Sequence, residues 1–499
     1  MSEPSASPEP SASSEPSVSA EGSSDVATEI PSKHVAPVTY ADLPEPLPLK
    51  QVLGPSVLLL AGAIGSGEFV LWPYITSQVG LTLVWLTLLG VLTQYFLNME
   101  IERYTLATGE TAVTGFTRLW KPWGLLFVVM TIVPWAWPGW ATGGTTTLSF
   151  ALGFSADLIP YITIGVLVLI GVVLTVSPVV YRTVEKIQFF MVGLIVVFVV
   201  YAMLFLLGFD GYLALGEGFL AVDEIPEGIS TIGAATLLGA IAFAGAGGAL
   251  NLVQSNWVRD KGLGMGSRLP KIVSPFTGQE MAAPTTGYFF RRDEANMRRW
   301  RGWWKVAERE QFTTFFVIGA ITLFVFMTLT FVTVGTGGAA ASFDFIQLQG
   351  EALADTKGAW LGTTFWLIGT VVLFSTNLAV LDMVGRVTAD VLKTGPLRES
   401  QRWTESRLYF VTVWLEIVFG SVILLSGVTQ PIVLLVIAAS LNGLVMFVYS
   451  VLLIQLNRGV LPQEIGLKGG RLIALGWAVL FYGGFSVILL IDQAKTLFG

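Results

Sequence analysis

Two stretches decide the fold: Ala61-Gly62-Ala63-Ile64-Gly65-Ser66-Gly67-Glu68-Phe69 and, much later, Ala242-Phe243-Ala244-Gly245-Ala246-Gly247-Gly248-Ala249-Leu250-Asn251. Each sits mid-way along an apolar run long enough to cross a bilayer as a helix. Glycine interrupts a helix at small cost, and backbone freed at that depth persists only where it lines a cavity or is enclosed by protein. Taken singly, either cluster also reads as close helix packing through small residues. Their placement separates the readings. Hydropathy gives eleven runs, at about 52–76, 79–100, 123–152, 158–179, 186–209, 232–257, 311–335, 359–385, 408–427, 430–454 and 471–491. The two clusters fall in the first and the sixth. These runs open two sets of five, and because five is odd the second set is inverted relative to the first. Interrupted helices at matching positions of inverted halves point to the central site of a secondary transporter. The expected fold is an all-α polytopic membrane protein of eleven transmembrane helices, a five-plus-five inverted repeat with broken helices 1 and 6.

Composition agrees. The 499 residues are 53% hydrophobic and 13% charged, with a mean hydropathy of +0.69, which excludes a single soluble globule. Of the 28 Lys and Arg, only Lys357 and Lys495 fall outside the loops that eleven crossings place on the side of the N-terminus. That asymmetry is the positive-inside signature, so the N-terminus is expected inside and the C-terminus outside, in a membrane such as the bacterial inner membrane. The loop 210–230 carries only acidic charge and reads as a solvated outer loop. Residues 1–38 are rich in Ser, Pro, Glu and Ala and are expected to form a disordered cytoplasmic tail without a signal peptide, ahead of a transporter domain over 39–499. There is no cysteine, and the one histidine, His34, lies in that tail. Thiolate and histidine metal clusters and most nucleophilic catalysis are thereby excluded, and no enzyme and no cofactor are expected. No phosphate-binding GxxxxGK[ST] loop is present.

Within the membrane the ionisable side chains are the candidates for chemistry, because they are expensive there. Glu68, beside the first interruption, is the foremost: a carboxylate that would bind a cation together with freed carbonyls of Gly65, Ser66 and Gly67. Ala244 and Gly247 at the second interruption, Asn251 and Gln254 beyond it, and Asn377, Ser440 and Asn442 on spans 8 and 10 are candidates to complete the site, with interhelical hydrogen bonding as the alternative for each. Asp382 and Arg386, four apart near the end of span 8, read either as a cytoplasmic gate pair or as a structural ion pair. Glu416, midway along span 9, reads as a titrating carboxyl or as a bond to a neighbouring helix.

These residues also carry a resemblance. Gly54-Pro55 followed by Gly65-Ser66-Gly67-Glu68, then Glu102-Arg103-Tyr104 with Ala107-Thr108-Gly109-Glu110, and Arg182-Thr183-Val184-Glu185, together resemble the Nramp family of divalent-metal transporters, which has the leucine-transporter fold. The resemblance implies alternating access and a metal ion held between helices 1 and 6. Where the family carries Asp-Pro-Gly-Asn in helix 1, this chain has Gly65, Ser66, Gly67 and Glu68. The family's helix-6 methionine falls at Gly247 and a later histidine at Gln254, and helix 3 has no Asp or Glu over 123–152. The chain is thus similar to a distant, atypical branch, nearest in character to the magnesium-transporting relatives. Loss of the soft thioether ligand implies a hard divalent cation such as Mg²⁺ or Mn²⁺ as substrate.

The inner loop 258–310 is long and basic. Its segment from Arg291 to Glu310 sets Arg298, Arg299, Arg301 and Lys305 beside Trp300, Trp303 and Trp304, which reads as an amphipathic helix against membrane lipid rather than nucleic acid. Two further functions stay open. Ile64-Gly65-Ser66-Gly67 is also similar to the helix-1 motif of amino-acid carriers of the same fold, which implies a small organic substrate such as an amino acid or amine. The other is a non-transporting sensor.

Overall fold

In lipid each stretch of backbone must satisfy its own polar groups, and the apolar runs do so as helices. The computed structural model describes residues 25–226, 229–274, 286–337 and 342–498. Among the described residues ten helices are long and apolar enough to cross a membrane: Pro55–Val79, Val84–Thr108, Pro122–Leu152, Ala156–Val176, Val180–Phe205, Glu294–Thr333, Ala359–Thr394, Glu405–Leu425, Pro431–Gly459 and Gly470–Ile491. An eleventh crossing, sixth in order, is split into Ala234–Ala242 (6a) and Ala249–Lys261 (6b). These are spans 1 to 11 below. Val197, Leu204, Leu415 and Leu480 are more than half exposed on spans 5, 9 and 11. Apolar surface of that extent is covered by lipid, and the chain is an integral membrane protein.

The two expected interruptions take different forms. Span 6 is truly broken: Gly245, Gly247 and Gly248 adopt φ of +118°, +80° and +54°, open only to glycine without strain. Span 1 is not unwound. Ile64–Leu71 forms a π-helix, so the backbone stays closed in wider turns. Ser66 turns its hydroxyl back on its own helix, to the carbonyls of Ala63 (3.0 Å) and Gly62 (3.3 Å). The small residues of span 1 serve close approach rather than rupture. A break that hydropathy does not show divides span 3 at Trp137-Pro138, between Pro122–Trp135 and Gly139–Leu152, because proline lacks an N–H and blocks the preceding turn.

The end of the bundle that carries the basic loops, called the basic end below, is capped by the N-terminal segment, a correction to the disordered tail. Residues 1–24 lie outside the described residues, but Ala27, Ile30, Val35, Ala36 and Val38 are buried. Thr39–Tyr40 pairs in parallel with Tyr288–Phe289. Arg118 binds the carbonyls of Pro31 (2.7 Å) and Ala36 (2.8 Å) while forking onto Glu110. Burial alone would raise the Glu110 carboxyl. The Arg118 charge, with hydrogen bonds from Arg118, Tyr104 and Gly287, outweighs that and holds it below the usual carboxylate range.

The segment before span 7 is also corrected. Residues 294–310 are helical, but they run without interruption into span 7 instead of forming a separate surface helix. Trp303 donates to the carbonyl of Pro44 at 2.8 Å and is buried with Trp300, so these rings pack on the N-terminal segment rather than among lipid headgroups. At the other end, Gly208–Leu220 of the acidic stretch is a helix, not an open loop, and its Gly218 packs against Leu81.

Candidate functional site

Span 1 and the break in span 6 meet at van der Waals distance. A Cβ placed on Gly67 would stand 1.6 Å from the carbonyl oxygen of Phe243, and one on Gly65 would stand 2.2 Å from the Thr376 hydroxyl of span 8. The Gly65 N–H donates to that hydroxyl (3.1 Å), which in turn donates to the carbonyl of Ala61 (2.9 Å). Gly67→Ala is therefore expected to force spans 1 and 6 apart and destabilise the protein by about 1–3 kcal/mol, as overpacking does. A thermal unfolding midpoint equal to the wild type in detergent would contradict this contact.

The backbone released by the break is held by a side chain that sequence reasoning passed over. Gln94 of span 2 donates from Nε2 to the carbonyls of Ala242 and Ala244, both at 2.9 Å, and its Oε1 accepts from the Gly247 N–H (3.1 Å) and from Asn251 Nδ2 (3.2 Å). One carboxamide thus satisfies four groups across the break, as burial demands. Asn442 of span 10 does the same from the far side, its Oδ1 accepting from Trp135 Nε1 (2.8 Å) and the Ala249 N–H (3.3 Å). Trp135 stacks on Trp140 at 4.9 Å and lies 5.4 Å from Phe243, so an aromatic wall built on the span 3 break closes over the glycines. The signal for Gln94 was present in the sequence: Gln94, Asn98 and Glu102 recur every four residues and share one helical face.

Glu68 looks elsewhere. It is fully buried, its Oε2 accepts from the hydroxyl of Thr322 on span 7, and its Oε1 has no partner. A Cβ on Gly319, one turn before Thr322, would stand 3.5 Å from that oxygen, at ordinary van der Waals contact. Among the described residues no cation pairs with Glu68. The candidates therefore divide. Ala244, Gly247, Asn251 and Asn442 gather at the break. Gln254 donates instead to Glu102 (3.3 Å), and Ser440 donates to the carbonyl of Ala235 on span 6a and to that of Val436 on its own helix. Asn377 is buried with its Nδ2 unpartnered. The expectation that Asn251 and Gln254 share the surroundings of Glu68 is corrected: Glu68 turns to span 7 and they turn to span 2. A π-wound turn advances each side chain by less than an α turn, which re-aims the Glu68 carboxyl.

Asp382 and Arg386 do meet, at 2.7 Å, inside a larger network. Arg386 also binds Asp260 of span 6b, while Asp382 accepts from Trp257 (2.8 Å) and Tyr409 (2.7 Å). Glu416 is half-buried on span 9 with its Oε2 unpartnered.

No protein-family model matches this sequence, and no curated protein matches it. Solved structures do match in shape. A structure of the Eremococcus coleocola manganese transporter in complex with an aromatic bis-isothiourea substituted compound has a TM-score of 0.63 at 12% identity, covering 92% of this chain and 91% of that one. A point mutant of the same transporter gives 0.62 at 13% identity over the same shares. MhsT in complex with L-phenylalanine gives 0.50 at 13% identity, covering 87% of this chain and 98% of that one. The fold is the leucine-transporter type, with its five-plus-five repeat and its sixth helix broken.

Proposed function

We propose that the protein is an alternating-access membrane transporter of a hard divalent cation such as Mg²⁺ or Mn²⁺, a distant relative of the Nramp transporters, with its basic end in the cytoplasm. One observation carries the reading: a fully buried carboxylate, Glu68, with one oxygen free and a single hydroxyl as partner. An isolated charge at that depth costs several kcal/mol, and a transported cation is the partner that relieves it during the cycle. The donors within reach of span 1 are oxygens, and the thioether of the family is replaced by Gly247, so the site lacks the sulfur that favours soft ions. Span 3 supplies no carboxyl for a proton route, and Glu416, a membrane carboxyl with its Oε2 unpartnered, is the candidate for coupling.

A second reading, an amino acid or amine as substrate, is favoured by the Trp135, Trp140 and Phe243 wall beside the break, because aromatic faces attract organic cations. Uptake into proteoliposomes across Mg²⁺, Mn²⁺, Ca²⁺, Cd²⁺ and amino acids, with and without a pH gradient, tests both. Saturable Mg²⁺ or Mn²⁺ uptake that an equal concentration of Cd²⁺ barely inhibits is expected. Amino-acid uptake without metal flux would replace the first reading by the second. Flux of neither would leave a sensor.

A further inference from the structure

The polar face of span 2 continues past the break and ends on a buried carboxyl, Glu102, that has no basic partner among the described residues. At the break, a Cβ on Gly245 would touch both Gln94 of span 2 (2.7 Å) and Phe315 of span 7 (3.1 Å), which fixes the three helices at one level. Four residues towards the basic end, about 6 Å along span 2 and less along the π-wound start of span 7, span 2 presents Asn98 and span 7 presents Gln311. Asn251 of span 6b, bonded to Asn98 at 2.6 Å, stands at that same level. One turn further along span 2 stands Glu102, which accepts from Gln254, and close to it is Glu310, the residue next to Gln311 on span 7. Glu310 caps the start of span 1, accepting from the N–H groups of Gly54 (3.3 Å) and Ser56 (3.1 Å) and from the Ser56 hydroxyl. A helix N-terminus favours the ionised form of such a cap.

Glu102 has no comparable relief. Its neighbour Glu100 takes the Arg103 fork at 2.6 and 2.9 Å, with Asn457 and Arg471 beside it. Among the described residues no Lys or Arg pairs with Glu102, which is 1% exposed. Around it the buried carboxamides are unfinished: Gln311 is fully buried with neither Oε1 nor Nε2 bonded, and Gln254 Oε1 and Asn251 Oδ1 also lack donors. Acceptor oxygens left over in one place, beside two carboxylates, are the complement of a cation.

We propose that Glu102 and Glu310, with the side-chain oxygens of Gln254 and Gln311, form a second site for a hard cation between spans 2, 6b and 7, on the basic-end side of the break. It is separate from Glu68 and stands whichever substrate is carried there. Because its ligands come from both sides of the 6b packing, occupancy ties 6b to spans 2 and 7.

The test follows the thermal unfolding midpoint of the full chain in detergent while choline chloride is exchanged for NaCl or, in a second arm, MgCl₂ at constant ionic strength. One of the two ions is expected to raise the midpoint saturably, which also identifies it. In the Glu68→Gln background, which removes ion binding at the proposed substrate site, the saturable rise should persist. Glu102→Gln should raise its half-maximal concentration at least tenfold or abolish the effect. Gln311→Leu, which keeps both carboxylates and the volume of the side chain, should raise it severalfold and serves if Glu102→Gln does not fold. No saturable rise with either ion would overturn the site, leaving a proton shared by the two carboxyls. A rise unchanged in Glu102→Gln and Gln311→Leu, or one lost in Glu68→Gln, would overturn it as well.

Discussion

Glu68→Gln is expected to leave the protein folded and to lower cation flux at least ~100-fold, the factor that loss of about 3 kcal/mol of charge pairing implies. The amide keeps the shape of the side chain and still offers an oxygen to the Thr322 hydroxyl, so the packing between spans 1 and 7 is preserved. What it removes is the one negative charge at that level of span 1. The same substitution should hold or raise the thermal unfolding midpoint of the metal-free protein, since an uncompensated buried carboxylate destabilises whatever encloses it. Flux and stability moving in opposite directions is the signature of a functional charge. Proteoliposome uptake and a melting curve on one preparation give both readouts. Unchanged flux would make Glu68 a structural residue and remove the main support for a cation substrate.

The sequence made the helix count and the position of both interruptions legible, because hydropathy and glycine clusters are local signals. The form of the first interruption was not. Gly65 and Gly67 are there for Thr376 and the carbonyl of Phe243, partners some 310 and 175 positions away, and nothing within residues 61–69 reveals that a π-wound helix meets them. For the same reason Glu68 was legible as a candidate while its direction, towards Thr322, was not. Gln94 was legible in principle, through its four-residue spacing with Asn98 and Glu102, but its acceptors exist only once span 6 breaks. The segment 25–38 misled through composition: its Ser, Pro and Glu suggest disorder, yet its few apolar residues and two backbone carbonyls suffice to dock it on Arg118 and the neighbouring helices. Trp300 and Trp303 misled through context, since a tryptophan beside basic residues reads as an interface anchor until the N-terminal segment is found covering it.

Arg386→Met is expected to cost about 3–5 kcal/mol of stability, the loss that follows when one partner of a buried ion pair is removed. Arg386 is fully buried and is the shared counter-ion of two carboxylates on different helices, Asp382 one turn before it on span 8 and Asp260 on span 6b. Methionine fills much of the volume, so the loss isolates charge rather than packing. Asp382 would keep Tyr409 and Trp257 as hydrogen-bond donors. Among the described residues Asp260 would keep Arg259 as its ion-pair partner, and Arg259 is already divided between Asp390 and Glu405. Two carboxylates would then share a pocket that one guanidinium had neutralised. Adding Asp260→Asn to Arg386→Met should recover a large part of the loss, because a neutral pair replaces a stranded charge. The gate reading predicts otherwise: a pair that forms only when the basic end closes would, once cut, leave the melting midpoint nearly unchanged and raise the solvent accessibility of that end. Thermal unfolding of the single and double variants, with cysteine labelling at an introduced position on 6b, decides between a brace and a gate. An unaltered midpoint together with faster labelling would establish the gate. A large drop rescued by Asp260→Asn would make the network the fixed support against which span 6b is held.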